Sequence, residues 1–268
     1  MEGVIPSYKV DELFSVKDKV TLITGMGGYG RVMAEAFAHN GARVILSDHK
    51  QSIIDRVGEE LTAQGLEWDS SVIAVEDKAD VEQKVAEIAE KYGRIDILIH
   101  TVGIAPLGPT MDFDDAEMRR TLDVNFYGCV YMNAAVGRVM EKNHWGRIIN
   151  INSIDAYSVN CIDDLPYSAS KAAMTASTRH FAVDLAKSGV TVNGIAPVWI
   201  YTPMMARRPG DYITQAAGTI PMGRISYSED YVGMTLFLAS DASAYVTGQT
   251  FLVDGGWGAY KAFKYSAE

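Results

Sequence analysis

Seven short apolar runs rich in β-branched residues, at 20–24, 43–47, 72–75, 96–99, 147–151, 191–195 and 250–253, are separated by longer segments of helical period at 31–40, 52–64, 81–92, 118–143, 168–188 and 228–240. This alternation limits the fold more than any other feature. The runs are continuously apolar, with little polar alternation, and that is the pattern of strands buried on both faces. Helices between such strands cover both sides of a parallel sheet, and ligands bind at the carboxyl ends of its strands. The sequence therefore predicts an α/β fold with a doubly wound parallel sheet of about seven strands and helices on both faces.

The 268 residues, 48% of them hydrophobic, can bury a full core, and no low-complexity linker divides them, so one domain is expected. A net charge of −10 argues against a nucleic-acid partner, which would call for clustered Lys and Arg. Cys129 and Cys161 have no metal-ligand spacing with each other or with His39, His49, His100, His144 and His180, so no metal centre is expected. They read as buried free thiols in a reducing, cytoplasmic setting. Residues 1–20 are polar and charged, so neither a signal peptide nor a membrane span is expected.

The first strand runs directly into Gly25-Met-Gly-Gly28-Tyr29-Gly30, and a helical segment follows. Glycines at such a turn let the backbone approach a pyrophosphate at a positive helix N-terminus, although glycine turns also serve plain strand–helix connections. Asp48 closes the second strand, near the position of an acid that accepts ribose hydroxyls, and its charge repels a 2′-phosphate. NAD is thus favoured over NADP, with His49 and Lys50 as the residues that could hold a phosphate instead. Asp77, beside Lys78, stands where a carboxylate could meet the adenine amino group or simply face solvent.

Tyr167 and Lys171 are four residues apart, which on a helix puts phenol and ammonium on one face. A phenol titrates near ~10, so acid–base work at neutral pH asks for a shift of roughly 3 units, or about 4 kcal/mol. A neighbouring cation supplies about 1 to 3 of those units. Lys171, with the positive ring of an oxidised nicotinamide, is a sufficient cause. Ser153, at the end of a strand, could hydrogen-bond a substrate oxygen, and Asn125 could hold a water that relays the proton. With 14 tyrosines the spacing alone arises roughly once by chance. Tyr260 and Lys264 share it, but they lie in a polar tail and are read as accidental.

Thr24-Gly-x-x-Gly-x-Gly30, Asp77-Lys-Ala-Asp80, Asp123-Val-Asn125, Ser153, Tyr167-x-x-x-Lys171, Pro197 with Thr202, and Val253-Asp-Gly-Gly256 occur in this order. Together they resemble the short-chain dehydrogenase/reductase family over residues 14–257. The resemblance implies a single Rossmann-like oxidoreductase domain, with residues 1–13 as an N-terminal extension and 258–268 as a tail. It implies catalysis by Asn125, Ser153, Tyr167 and Lys171, with Tyr167 as general acid/base and Lys171 on the nicotinamide ribose. Gly25, Gly28, Tyr29, Gly30, Asp48, Asp77, Lys78, His100, Gly103, Pro197, Ile200 and Thr202 would join Tyr167 and Lys171 in binding the cofactor. Assembly as a homo-oligomer, a tetramer or dimer through the helices at 118–143 and 168–188, is implied as well.

Three departures stand out. The glycine loop is one residue shorter than the family's Thr-Gly-x-x-x-Gly-x-Gly. His100-Thr-Val-Gly103 replaces Asn-Asn-Ala-Gly, so His100 must supply another hydrogen bond, more as a structural histidine than as a new catalytic one. Val198 replaces the glycine after Pro197.

Residues 199–221 are the expected substrate lid, with Trp199, Tyr201, Met204, Met205 and Arg207-Arg208, and Met222 just beyond. The apolar groups suit an adaptable pocket; the arginines could clamp an anion or be solvated charges. The expected activity is interconversion of a secondary alcohol and a ketone, with a polyol or sugar-derived substrate ahead of a hydroxysteroid or a 3-oxoacyl compound. A dinucleotide-binding regulatory or scaffold protein is the non-enzymatic alternative.

Overall fold

A computed structural model of the chain describes residues 7–161, 163–202, 205 and 211–259. In chain order it contains α1 (Val10–Leu13), β1 (Val20–Thr24), α2 (Gly28–His39), β2 (Arg43–Asp48), α3 (Gln51–Thr62), β3 (Trp68–Val72), α4 (Lys78–Tyr92) and β4 (Ile97–His100). Then come α5 (Asp115–Thr121), a π-helical stretch (Leu122–Tyr127), α6 (Gly128–Asn143), β5 (Gly146–Ile151), α7 (Leu165–Leu185), β6 (Val190–Pro197), α8 (Tyr212–Gly218), α9 (Val232–Ala239) and β7 (Thr250–Val253). The strands form one seven-stranded parallel sheet in the order β3-β2-β1-β4-β5-β6-β7.

Each central strand feeds two cores, because successive side chains leave opposite faces of the sheet. Ile23, Ile97, Ile99 and Ile149 pack on one side with Met33, Phe37 and Leu238. Leu22, Leu98 and Ile148 pack on the other with Val85, Met132, Val136 and Leu185. Full burial of each such side chain contributes about 1.5–3 kcal/mol. The continuous apolar runs in the sequence are the direct requirement of this double burial.

Three elements differ from the sequence expectation. The third strand is Trp68–Val72, not 72–75, because β2 ends at Asp48 and the last rung pairs Asp48 with Val72. Ile73 and Val75 are buried as loop residues packed in the second core, while the edge strand itself carries polar residues. Helix α4 starts three residues early because Asp77 caps it, accepting from Ala79 N at 2.9 Å and Asp80 N at 3.2 Å. The long segment expected at 118–143 is continuous but contains the π-helical turn, where Gly128 N donates to Asp123 O.

Edge strand β3 is fastened through Trp68, whose Nε1 donates to Thr62 Oγ1 at 2.9 Å. A Cβ placed on Gly58 of α3 would overlap the Trp68 indole. Gly58→Ala should therefore destabilise the protein by about 1–3 kcal/mol. Urea unfolding checks this, and an unchanged midpoint would show that the indole can move aside.

Candidate active site

The sheet order reverses between β1 and β4, which opens a crevice at their carboxyl ends. There β1 turns through Gly25, whose φ of +86° favours glycine. Gly25 N donates to Ser47 O at 2.7 Å, Met26 N donates to Asp48 Oδ2 at 2.8 Å, and Thr101 Oγ1 lies 2.8 Å from both Thr24 O and Gly25 O. The short glycine loop is thus braced from β2 on one side and from the residue after β4 on the other.

Helix α2 begins at Gly28 without a side-chain cap, so its first N–H groups stay available to an anion. A Cβ on Gly30 would overlap the carbonyl oxygen of Gly25, whereas one on Gly27 would meet nothing within 4 Å. Gly30 permits the turn, and Gly27 and Gly28 line the cavity in front of it. Asp48 sits at the same end, its Oδ1 accepting from His49 N at 2.9 Å. This cradle fits a dinucleotide phosphate and an adjoining ribose.

At the other end of the same cavity, of about 1000 Å³, stand Ser153, Tyr167 and Lys171. Strand β5 delivers Ser153 to the start of a short 3-10 turn, and α7, with Pro166 in its first turn, carries Tyr167 and Lys171 one turn apart. Lys171 Nζ donates to Ile151 O at 2.8 Å and lies 5.5 Å from the Tyr167 ring centroid. Ser153 and Tyr167 line the cavity together. Trp199, Met205 and Tyr212 form an apolar wall, with Trp199 and Tyr212 edge to face at 5.6 Å.

Residues 25–258 match a family model described as enoyl-(acyl carrier protein) reductase. The chain is 33% identical over 250 residues to an NAD-dependent glycerol dehydrogenase of Listeria innocua, covering 92% of this chain and 96% of the relative. It is 34% identical over 244 residues to a 3-oxoacyl-[acyl-carrier-protein] reductase of Thermotoga maritima, covering 90% and 98%. A gluconate 5-dehydrogenase of Burkholderia cenocepacia, solved with NADP and tartrate, superposes with a TM-score of 0.88 at 28% identity, covering 94% of this chain and all of the other. The chain belongs to the short-chain dehydrogenase/reductase family. It is an oxidoreductase acting on CH–OH groups.

Within this short-chain dehydrogenase/reductase, Gly25, Gly28, Asp48, Gly103, Pro197, Ile200 and Thr202 line the cavity with Ser153, Tyr167 and Lys171. Tyr29 also reaches the lining, but its phenol is committed to the core and hydrogen-bonded to Thr235 Oγ1 at 3.0 Å. Asp77 and Lys78 stand outside the lining, because Asp77 caps α4; Val75 and Glu76 occupy that stretch of wall. Asn125 lies outside it as well. Its Oδ1 accepts from Ile104 N at 2.8 Å, and its Nδ2 donates to Ile104 O at 2.9 Å and Ser170 Oγ at 3.0 Å. The amide straps the loop after β4 to α7 with both of its N–H groups, and Oδ1 keeps one lone pair.

Cys129 is buried as expected, but Cys161 is only partly so and lines the cavity, as do Asp155 and Asn160, which pattern reading overlooked. Asp155 is two residues from Ser153, and that proximity was the available clue. Met204 and Arg207-Arg208 fall outside the described residues, as do Tyr260 and Lys264. Among the described residues, no helix is long and apolar enough to cross a membrane, and no group of three or more His, Cys, Asp or Glu side chains could hold a metal.

The electrostatics differ from expectation at Tyr167. Burial raises its pKa, and Asp155 and Asp164 raise it further, against the lowering effect of the nearby Ser153 hydroxyl. Burial likewise pushes Lys171 down to about 8, against the pull of Cys129 and Asp155. The chain's own residues therefore hold the phenol neutral, because the ammonium is turned to Ile151 O and two carboxylates face the ring from the loop before α7.

His100 lies beneath the cavity and not in its wall, with Nδ1 2.8 Å from Thr24 Oγ1 and Nε2 unpartnered among the described residues. Burial, reinforced by Lys171, pushes it down to about 3 from 6.5. Between those values the unfolded chain binds a proton that the folded chain refuses, so stability falls as pH drops below about 6.5. By pH 5 the loss attributable to this histidine should be about 2 kcal/mol. His100→Asn should flatten that part of the stability profile in urea unfolding at pH 7.5 and 5; parallel profiles for the two proteins would refute the assignment.

Proposed function

We propose that the protein interconverts a secondary alcohol and a ketone with NAD, acting on a polyol or sugar-derived alcohol. The observation that carries this reading is the shared cavity: the glycine loop and Asp48 at one end, Ser153, Tyr167 and Lys171 at the other. A bound nicotinamide supplies the hydride acceptor or donor and, when oxidised, a positive charge.

The chain's residues do the rest. Gly25, Gly28 and the open N-terminus of α2 bind the pyrophosphate, and Asp48 accepts ribose hydroxyls while repelling a 2′-phosphate. Ser153 orients the substrate oxygen beside Tyr167. In reduction, neutral Tyr167 donates its phenolic proton to the forming alkoxide oxygen; in oxidation, the phenolate takes the hydroxyl proton. Lys171 holds the nicotinamide ribose and favours the phenolate, opposing burial and the two acids. Asn125, in the π-helical turn, keeps one Oδ1 lone pair for the water that relays the proton, and such a distortion is often found at functional sites. The glycerol dehydrogenase and gluconate 5-dehydrogenase relatives support the polyol or sugar-derived class.

Reduction of a 3-oxoacyl thioester is the second reading, favoured by the Thermotoga relative and the apolar wall of Trp199, Met205 and Tyr212. We further assign one catalytic domain to residues 14–257 and a homo-oligomeric assembly, supported by exposed Tyr127 and Val183 on the long helical segments.

Nicotinamide absorbance with a panel of polyols, sugar acids, hydroxysteroids and oxoacyl thioesters tests the function. Tyr167→Phe should lower turnover by about 10²–10⁴-fold while leaving cofactor binding in place. Oxidation rates should rise with pH, since the phenol must ionise. Cofactor binding without turnover of any alcohol or ketone would transfer support to a regulatory dinucleotide-binding role.

Asp48→Ser should narrow the preference for NAD over NADP at least tenfold, a modest part of the roughly 4 kcal/mol that two charges 4 Å apart exchange at an effective dielectric of 20. Cofactor titration by tryptophan fluorescence reads this directly. An unchanged ratio would move the ribose contact to another residue.

A further inference from the structure

The hydrogen-bond arithmetic at Ser153 points to a specific substrate feature. A serine hydroxyl has one proton to donate and two lone pairs. Ser153 Oγ donates to Asp155 Oδ2 at 2.8 Å and accepts from Asp155 N at 3.2 Å, which leaves one lone pair open. Its only proton is therefore engaged by a carboxylate. A substrate oxygen arriving beside it meets an acceptor and must bring its own hydrogen.

Asp155 itself retains acceptor capacity. An ionised carboxylate offers about four lone-pair sites. Ser153 uses one, and Asn160 N uses another on Oδ1 at 3.2 Å. The side chain lines the cavity. Its Oδ2 stands 2.8 Å from Ser153 Oγ, close to the separation of the two oxygens in a gauche 1,2-diol. A diol laid along this edge places the reacting oxygen at Ser153 and Tyr167 and points its neighbouring hydroxyl at Asp155.

We propose that Asp155 is a specificity-determining residue that accepts a hydrogen bond from a second hydroxyl adjacent to the reacting carbinol, so that the enzyme selects uncharged vicinal diols. This deepens, and rests on, the alcohol-oxidation reading above. Among the described residues, the surroundings disfavour an anionic group at the same place. Asp164, from the loop before α7, lines the cavity too, and each carboxyl is raised chiefly by burial. Tyr167 and Lys171 face Asp155 from α7, and Cys161 faces it from the intervening loop. Lys171 is the one cation in this set, and it is bonded to Ile151 O. Arg119 and Arg120 of α5 reach the cavity wall but pair with Asp115 and Glu117 on their own helix.

The test compares 2,3-butanediol, 2-butanol and 2-hydroxybutanoate as substrates of the full-length wild type, Asp155→Ala and Asp155→Asn, with cofactor binding measured in each. The wild type should prefer the diol to the mono-alcohol at least tenfold in kcat/KM and use the hydroxy acid least. Asp155→Ala should lower the diol's kcat/KM at least tenfold more than that of 2-butanol. In the wild type the diol's KM should rise as pH falls and Asp155 takes up a proton, with a midpoint above the ordinary carboxyl range near ~4; Asp155→Asn should lose this acid limb. Equal losses on both alcohols would overturn the proposal and leave Asp155 as a residue that merely positions Ser153. A wild type that turns over 2-butanol as well as the diol would overturn it while sparing the alcohol-oxidation reading. A wild type that binds cofactor but oxidises no secondary alcohol would overturn both.

Discussion

The structure turns on how closely the start of α2 approaches the end of β1. The third residue of that helix, Gly30, lies against the carbonyl of Gly25, leaving no space for a Cβ. The contact would be useless if the loop could drift, so its first two residues are tied to neighbouring segments: Met26 N to the Asp48 carboxylate at the end of β2 and Gly25 O to the Thr101 hydroxyl just after β4. Asp48 therefore does two jobs. One oxygen holds the loop, and the carboxylate as a whole presents negative charge to whatever occupies the ribose position. The bracing of this loop, one residue shorter than is usual for the family, comes from neighbouring segments and does not depend on loop length.

Burial governs the chemistry at the other end. Taking Tyr167 and Lys171 out of water disfavours the charged form of each, so the phenol's pKa moves up and the ammonium's moves down. Both shifts bring the neutral pair closer. A positive charge placed over this end of the cavity would be opposed by little screening and would act strongly on the phenol. The chain's own residues thus keep the phenol protonated, and an added positive charge is what would ionise it.

Much of this was legible in the sequence where a requirement falls on consecutive residues. Double burial shows as continuous apolar runs, and the Tyr167–Lys171 pair follows from helical spacing alone. Edge strand β3 was misplaced by several residues because it has a single neighbour and little need for apolar side chains, while Ile73 and Val75 are buried beyond the last rung. Asp77 has the composition of a ligand residue and the position of a helix cap, and only the hydrogen bonds from Ala79 and Asp80 distinguish the two. Asn125 and His100 show the same limit. Each is polar, central and close to Tyr167 and Lys171, yet both N–H groups of the amide go to strapping Ile104 to Ser170, and the imidazole lies beneath the cavity floor beside Thr24.

The acids beside the phenol make the last step of this logic. Asp155 and Asp164 both oppose ionisation of Tyr167, and each unit of opposition is worth about 1.4 kcal/mol. For a site that needs a phenolate, such neighbours are a handicap unless they act on something else. Ser153 is what Asp155 acts on: by taking the hydroxyl proton, the carboxylate fixes which way the serine's hydrogen bonds run. The same negative charge that opposes ionisation of Tyr167 therefore sets the orientation of Ser153. Removing the acid would ease ionisation of Tyr167 and at the same time free Ser153 to rotate, so acidity of the phenol and orientation of the serine hydroxyl are coupled through one side chain.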